Sequence, residues 1–443
     1  MNSVSLRYND LDLPNYVNTR EVFAGLNVSD LAKAAVLGGL NFMLIGDTGT
    51  GKSQLASDIY KYYFGGNKSD GGNGVFIRAH PEVDIYNEIF TELNIERARR
   101  EMTNSLDSMV FFVDELNRAP PVAQNQFFGL GDGKMDYKGK EIQLGKDDYH
   151  LLIATANIGN GEFAGTFETD KALLNRLHVA LDLEYGQFKP TYEDLQKIKE
   201  RIANPNVISA PVRDISDRIL EANKTIEMQT TNHDIETLAV LNYLEHGLNN
   251  CQRYNLEGKD RVWPMACQDC PHNQNGNSLC SLIKSPTTRT MEVIRKYAVA
   301  LKYLALLKDP NIKLSPHELV FKSFELSGAY QHLLNPSSLR ENFNHNQKLM
   351  AEIVGQLQED YTSVRDYILA SLEMVKDGEK ATRFYSDHFA GGNIGLYDEL
   401  NEKVKKSGNV PLIEPYTNQR EVGLKWMNEF LEYQINHNKN RSN

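Results

Sequence analysis

An apolar stretch that runs directly into a glycine-rich loop constrains this chain more than any other feature. The stretch NFMLI (41–45) has the composition of a short buried strand, and GDTGTGKS follows it at Gly46–Ser53, ahead of a helical pattern. A strand, a loop of the form G-x-x-x-x-G-K-[ST] and a helix together form a phosphate-binding site, because the loop N–H groups and the helix N-terminus face phosphate oxygens. The predicted nucleotide-contacting residues are therefore Gly46, Asp47, Thr48, Gly49, Thr50, Gly51, Lys52 and Ser53.

A second apolar stretch, MVFFV, is followed directly by two carboxylates, Asp114 and Glu115. The carboxyl ends of parallel strands are where sheets of this kind bind ligands. We expect Lys52 to reach the β- and γ-phosphates, and Ser53 and Asp114 to hold Mg²⁺. Glu115 is expected to polarise the attacking water. An acceptor in that position favours hydrolysis over phosphoryl transfer to a metabolite.

Short apolar stretches alternate with helical ones through the first 190 residues. This pattern predicts a parallel sheet covered on both faces, with strands at 41–45, 75–79, 109–114, 149–157 and 178–185. One stretch, 133–145, instead alternates with period two and predicts an inserted hairpin turning at residues 138–139. From residue 191 onward the pattern is helical, which predicts a helical lid at 191–330 and a helical extension at 331–443.

The stretch LLIATAN ends at Asn157, beside the predicted position of Asp114 and Glu115. A neutral amide there could orient the attacking water. Alternatively, Asn157 simply begins a turn before the following glycines. Spacing within this stretch does not choose between the two interpretations.

These three motifs, in this order, resemble those of AAA+ ATPases. The stretch DELNRAPPVAQ (Asp114–Gln124) closely resembles the hallmark segment of the MoxR family, and GTFETDKALLNRL (Gly165–Leu177) is similar to that family's sensor and arginine-finger segment. The resemblance covers roughly residues 20–330, and the hairpin at 133–145 falls where this clade carries one. It implies an AAA+ P-loop core at 1–190 with a helical lid.

The resemblance also implies roles for three residues. Asn157 would be the first sensor, Arg176 the arginine finger reaching the nucleotide of a neighbouring subunit, and Arg289 the second sensor, on a helix of the lid. The chain departs from the family pattern at Ala156, where glutamine is usual, and at Asn175, where aspartate is usual. For Arg176, the alternative from sequence alone is a surface arginine of a helix.

All four cysteines of the chain fall within thirty residues, at Cys251, Cys267, Cys270 and Cys280. The Cys-x-x-Cys pair can chelate one ion from a tight turn, and the flanking cysteines can complete a tetrahedral zinc site or hold an iron–sulfur cluster. Disulfides are disfavoured by the expected cytoplasmic location. We therefore predict that the insertion at 251–280 is held together by zinc or by an iron–sulfur cluster.

The leading functional hypothesis is a MoxR-like AAA+ ATPase, with ATP and Mg²⁺, that forms a homo-oligomeric ring, by resemblance a hexamer, and remodels or matures a client protein. The resemblance implies a client that bears a von Willebrand factor A domain. The start of the chain lacks a signal-peptide pattern and no stretch reaches the ~20 apolar residues of a membrane span, so a cytoplasmic protein is expected.

Two alternatives stay open. One is a nucleic-acid-directed motor of a restriction or defence system, since NRA…FFG also resembles GTP-using McrB-type motors. Their Met-Asn-Thr-Ala-Asp signature is missing, and the net charge of −11 disfavours nonspecific nucleic-acid binding. ERARRE (Glu96–Glu101) would be a contact of such a motor, but we interpret it as a solvated helix face. The other alternative is a nucleotide-gated scaffold with little turnover.

Overall fold

A computed structural model describes residues 6–94, 99–102, 105–137, 139–157, 166–201, 207–231, 235–242, 244, 248 and 279–374. Its strands are β1 (Glu21–Phe23), β2 (Leu26–Asn27), β3 (Phe42–Ile45), β4 (Gly74–Arg78), β5 (Thr91–Asn94), β6 (Arg99–Met102), β7 (Val110–Asp114), β8 (Lys134–Tyr137), β9 (Lys140–Gln143), β10 (Leu151–Ala156) and β11 (Val179–Asp182).

The described α-helices are α1 (Val28–Leu37), α2 (Lys52–Phe64), α3 (Ile85–Phe90), α4 (Pro121–Gln124), α5 (Phe127–Asp132), α6 (Lys171–Leu174), α7 (Tyr192–Arg201), α8 (Ser216–Thr231), α9 (Ile235–Asn242), α10 (Leu279–Leu282), α11 (Thr288–Lys308), α12 (Pro316–Gly328), α13 (Pro336–Glu341) and α14 (Asn346–Met374). None of these helices is long and apolar enough to cross a membrane.

Five strands form one parallel sheet in the order β11-β3-β10-β7-β4. The central three are buried at every position, because side chains of a parallel sheet meet helices on both faces. This confirms the predicted α/β class, a parallel sheet between helices with helical segments after it. Since β10 lies between β3 and β7, the end of β10 falls between the ends of the two strands that carry the predicted nucleotide residues.

The apolar residues of the sheet and of the helices on one face form a continuous core. It includes Met43 and Ile45 of β3, Phe111 of β7 and Leu152 of β10, all at most 2% exposed. Burial on this scale stabilises a fold by about 25 cal/mol per Å² of apolar surface removed from water. The strand ends that carry polar residues are therefore fixed by a packed layer immediately behind them.

Besides this sheet, the described residues form three antiparallel pairs of strands, β1–β2, β5–β6 and β8–β9. The hairpin β8–β9 pairs Lys134 with Gln143 and Tyr137 with Lys140, which confirms the predicted hairpin within 133–145. The hairpin β5–β6 pairs Leu93 with Arg100.

The hairpin β5–β6 shows that the interpretation of ERARRE as a helix face is wrong for its last three residues. Arg99, Arg100 and Glu101 lie in strand β6, and residues 95–98 are outside the described ranges. Glutamate, arginine and alanine favour helices only weakly, by less than about 1 kcal/mol per residue. Pairing with β5 outweighs that preference.

The chain divides into two compact units. The first holds Met1–Asn232, Glu292–Leu314 and Lys322–His332; the second holds His233–Met291, Ser315–Phe321 and Leu333–Asn443. The predicted boundaries at residues 190 and 330 stay predictions.

Within the second unit, Glu236 of α9 is buried and is tied to two other helices. Its carboxylate accepts hydrogen bonds from Arg365 Nε at 2.6 Å and from Tyr361 Oη at 3.3 Å, and it lies 3.2 Å from His317 Nδ1. Burial alone would raise the pKa of Glu236, but the Arg365 guanidinium and these partners hold it below its usual value.

Candidate nucleotide-binding site

The glycine-rich loop adopts backbone conformations that only glycine adopts freely. Gly46, Gly49 and Gly51 have φ of +146°, +86° and +92°, in the region that side chains with a Cβ rarely enter. Gly51 is also the residue that precedes α2, and a Cβ there would lie 3.2 Å from Tyr16 Cε2. The loop therefore needs glycine both for its path and for contact with the N-terminal segment.

Lys52 begins α2 and is almost fully buried. Its Nζ donates a hydrogen bond to the Asp47 carbonyl at 2.7 Å, inside the curve of the loop. Burial is the main influence on its ammonium group and lowers the pKa of Lys52, while surrounding carboxylates, Asp114 and Glu115 among them, act in the opposite direction. A buried cation in a loop of this shape is suited to bind an anion.

Asp114 ends β7 and connects this strand by hydrogen bonds to α2 and β10. Its Oδ1 accepts a hydrogen bond from Ser53 Oγ of α2 at 3.0 Å and another from Thr155 Oγ1 of β10 at 2.6 Å. The strand register that pairs Ala154 with Val113 brings Thr155 beside Asp114. Carboxylate and hydroxyl oxygens are the donor set that Mg²⁺ uses, so Ser53 and Asp114 fit this ion.

Glu115 has an unusual backbone, with φ 58° and ψ 44°. A non-glycine residue in the left-handed region costs of order 1–3 kcal/mol and marks functional sites often enough to motivate a hypothesis of function. Its N–H donates to Thr155 Oγ1 at 2.9 Å, which fixes the turn. Its carboxylate pairs with Arg118 at 3.0 Å, and both side chains are partly exposed.

Asn157 follows β10 and lies between the ends of β3 and β7. Its backbone is held on both sides by the side chain of Asn117, which donates to the Asn157 carbonyl at 2.7 Å and accepts from its N–H at 3.2 Å. The Asn117 carbonyl also accepts the N–H of Phe167 at 2.7 Å. Asn117 thus joins the segment after β7 to the segments on either side of residues 158–165.

Gln124, the last residue of α4, also joins separate segments. Its amide, fully buried, donates to the carbonyls of Ala119 and Glu168 at 2.9 and 3.2 Å and accepts the N–H of Asp170 at 2.8 Å. The Asp170 side chain in turn accepts the N–H of Ala172 and starts α6. The helix that leads to Arg176 is therefore anchored to the segment that follows Glu115.

Arg176 lies at the opposite edge of the sheet from the glycine-rich loop. Its carbonyl accepts a hydrogen bond from the side chain of Asn41, the residue immediately before β3, at 3.0 Å. The loop begins immediately after β3, whose four residues span about 13 Å. The Arg176 guanidinium is held at its own edge by Asp132, with Nε 2.8 Å from Oδ2. The loop and the predicted arginine finger are therefore far apart within one chain.

Arg289 lies in the first turn of α11 and belongs to the second unit. Cys280 lies in α10, whereas Cys251, Cys267 and Cys270 fall outside the described residues. Among the residues that the structure describes, no group of histidine, cysteine and carboxylate side chains is arranged to bind a metal. The roles predicted for these five residues stay predictions.

Sequence reasoning missed Thr155, Asn117 and Gln124, which orient the predicted residues. Asn117 and Gln124 belong to the stretch whose family resemblance was strongest, but that resemblance gave them no role. Thr155 lies two residues before Asn157, a spacing that puts the two side chains on the same side of a strand. That spacing was the signal available for Thr155.

Comparison with known proteins agrees with this geometry. Residues 41–177 match the sequence model of the AAA domain of the dynein-related subfamily, and the match includes the glycine-rich loop, Asp114, Glu115, Asn157 and Arg176. A search of curated proteins by sequence returns no significant match.

Among solved structures, the chain resembles a protein of Cytophaga hutchinsonii provisionally described as an ATPase. The TM-score is 0.52 at 16% identity, over 73% of this chain and 87% of that one. A full-length MCM homologue of Methanopyrus kandleri gives a TM-score of 0.38 at 13% identity, over 67% of this chain and 55% of that one. The domain match assigns residues 41–177 to an AAA domain, and the likeness to the first of these structures supports the P-loop fold.

Proposed function

We propose that this chain is a MoxR-like AAA+ ATPase that hydrolyses ATP in a hexameric ring and uses the energy to remodel or mature a partner protein. One observation carries the hydrolytic component of the proposal. The hydroxyls of Ser53 and Thr155 both bind Asp114 Oδ1, and Glu115 follows in a strained, anchored turn. In this proposal Asp114 is the metal ligand and Glu115 the general base, at the same sheet edge as the glycine-rich loop.

In this proposal the loop N–H groups and Lys52 bind the phosphates of ATP. Mg²⁺, held by Ser53 and Asp114, would neutralise charge on the phosphate oxygens. The Glu115 carboxylate accepts a proton from the attacking water. The Asn157 amide, on the strand between Asp114 and the loop, orients that water.

The position of Arg176 is the reason that the proposal includes a ring. Its location at the far edge of the sheet, and its guanidinium contact with Asp132, make it unsuited to reach the phosphates bound by its own chain. Repetition of one head-to-tail contact around a closed ring would bring it to the nucleotide of the next copy. Each site would then be complete only when a second copy contributes.

ATP turnover by the purified protein tests the proposal directly. We expect Mg²⁺-dependent ATP hydrolysis that rises more than linearly with protein concentration until assembly is complete, with GTP a poorer substrate. The matched control is Lys52→Ala, which removes the buried cation and should lose nucleotide binding. A wild-type protein that binds ATP but shows no turnover at any concentration would instead support a nucleotide-gated scaffold.

Thr155 should set both the Mg²⁺ requirement and the rate. Thr155→Val keeps the size of the side chain but removes the hydroxyl that orients Asp114 and anchors Glu115, so turnover should fall by about 10- to 100-fold and need more Mg²⁺. Thr155→Ser keeps the hydroxyl and should stay close to wild type. Titration of turnover against Mg²⁺ measures both effects. If the valine variant matches the serine variant in rate and in Mg²⁺ requirement, the orienting role is wrong.

We propose that the insertion at 251–280 binds zinc or an iron–sulfur cluster and that this metal holds the insertion together. Metal analysis of the purified protein should then find about one zinc per chain, or iron together with the visible absorbance of a cluster. Replacing Cys267 and Cys270 with serine should remove the metal. Protein purified without chelators that contains neither zinc nor iron would contradict this proposal.

A further inference from the structure

The short helix α5 fits closely between Arg176 and the hairpin β8–β9. It contains two glycines, and each lies where a side chain would collide. A Cβ on Gly131 would lie 2.7 Å from Arg176 Cβ, and a Cβ on Gly129 would lie 2.6 Å from Met135 Cγ of β8. The Asn41 side chain donates to the carbonyls of both Gly131 and Arg176, at 2.7 and 3.0 Å. The backbones of α5 and Arg176 are therefore fixed to one another.

The guanidinium of Arg176 is also held by α5. Asp132 Oδ2 accepts from Nε at 2.8 Å, and the guanidinium carbon lies 4.8 Å from the centre of the Phe128 ring. Phe128 and Asp132 are four residues apart, so both project from the same face of the helix. A third contact comes from the Ala172 carbonyl, which accepts from Nη1 at 2.9 Å.

Among the described residues, these contacts use Nε and Nη1 of the guanidinium and give Nη2 no hydrogen bond. The Arg176 side chain is 20% exposed. The N–H groups of Nη2 can therefore meet an acceptor from outside the chain. A partly exposed ion pair contributes little to folding stability, so stability alone does not account for this arrangement.

We infer that Asp132 is a positioning residue for Arg176 and that α5 presents the Nη2 side of the guanidinium to the phosphate of a second copy of this chain. Orienting the planar group before contact reduces the conformational entropy that is lost when it binds. Because α5 also packs on the hairpin, a displacement of the hairpin would move Asp132 and with it the arginine. The inference rests on the proposed function, in which Arg176 acts on a neighbouring subunit.

Asp132→Asn tests the inference because it keeps the size of the side chain and removes its charge. We expect turnover to fall by about 10- to 100-fold, the range for loss of an orienting partner. ATP binding should be unchanged because the variant's own loop is intact. Asp132→Glu restores the carboxylate and should recover a fraction of the rate.

Subunit mixing separates a positioning role from a general structural defect. Glu115→Gln subunits carry an intact arginine but an inactive site. Mixed in equal amounts with Asp132→Asn subunits, they should restore about one quarter of wild-type turnover, since one in four neighbouring contacts then joins an intact site to an intact arginine. Mixing Asp132→Asn with Arg176→Ala should restore nothing, because neither subunit carries an oriented Arg176.

Wild-type turnover by Asp132→Asn would overturn the inference. So would a failure of Asp132→Asn to be rescued by Glu115→Gln subunits that do rescue Arg176→Ala, and in both cases the proposed function stands. If Glu115→Gln subunits fail to rescue Arg176→Ala as well, the arginine does not act between subunits. The proposal of an arginine shared across the ring then fails together with the inference.

Discussion

Replacement of Arg176 with alanine should reduce ATP turnover by ~10³–10⁵-fold, the range for loss of an arginine that stabilises a transferring phosphoryl group. ATP binding should be nearly unchanged, because the arginine lies at the far edge of the sheet from the loop that we propose binds the nucleotide. Turnover and the binding of a fluorescent ATP analogue, measured on the same preparation, give the two quantities.

Two further variants sharpen this prediction. Arg176→Lys keeps the charge but loses the planar fork that contacts Asp132 and a phosphate together, so it should stay close to alanine in rate. Arg340→Ala removes an exposed arginine whose side chain donates to the carbonyl of Pro336 in its own helix, and it should match wild type. Loss of ATP binding in Arg176→Ala would mean that the residue supports the fold of its own subunit instead.

The sheet could be predicted from the sequence because its signals are local. Each of its five strands is a short apolar run, and β3 is followed at once by the glycine-rich loop. The order of motifs then fixes which strand carries which residue, since parallel strands place their carboxyl ends at one edge. The hairpin β8–β9 was predictable for the same reason, from its alternation with period two.

The contacts that orient the site are not local. Thr155 and Asp114 are 41 residues apart, and they meet only through the register of β10 on β7. Asn117 holds the backbone of Asn157 across 40 residues. A one-residue change in register would turn each side chain to the other face of the sheet. Sequence spacing alone could name these residue types but could not pair them.

For the run Glu96–Glu101, a local sequence signal was present but predicted the wrong structure. Its composition favours a helix, and no turn signal such as Asn-Gly marks the hairpin that includes its last residues. Arg99–Met102 pairs with Thr91–Asn94, so a neighbouring strand decides its conformation. Charged residues in short hairpins have weak preferences, and pairing exceeds them.

Asp114 and Glu115 are adjacent in sequence but are oriented by different means. Asp114 ends a buried strand and is fixed by two hydroxyls. Glu115 leaves the strand in a left-handed turn, partly exposed and paired with Arg118. A metal ligand requires one position, whereas a base that contacts water must be accessible. The strain at Glu115 follows from turning its side chain away from the strand direction, and the Thr155 hydroxyl holds that turn.

Replacement of Glu115 with glutamine should therefore separate binding from hydrolysis. Glutamine keeps the size of the side chain and can keep the anchored turn, since the N–H bond to Thr155 involves only the backbone. It cannot accept a proton from water, so turnover should fall by about 10²–10⁴-fold, the usual contribution of a general base. ATP affinity should be kept, and ring assembly should persist with ATP bound.

Equilibrium ATP binding, sedimentation with and without ATP, and turnover distinguish this outcome from misfolding. The matched control is Glu352→Gln, the same exchange at an exposed glutamate that pairs with Lys348, and it should leave all three measurements unchanged. If Glu115→Gln hydrolyses ATP at the wild-type rate, another group must activate the water. The strained turn would then only position Glu115 for its ion pair with Arg118. The candidate bases would be the other carboxylates around Lys52, Asp47 and Glu184.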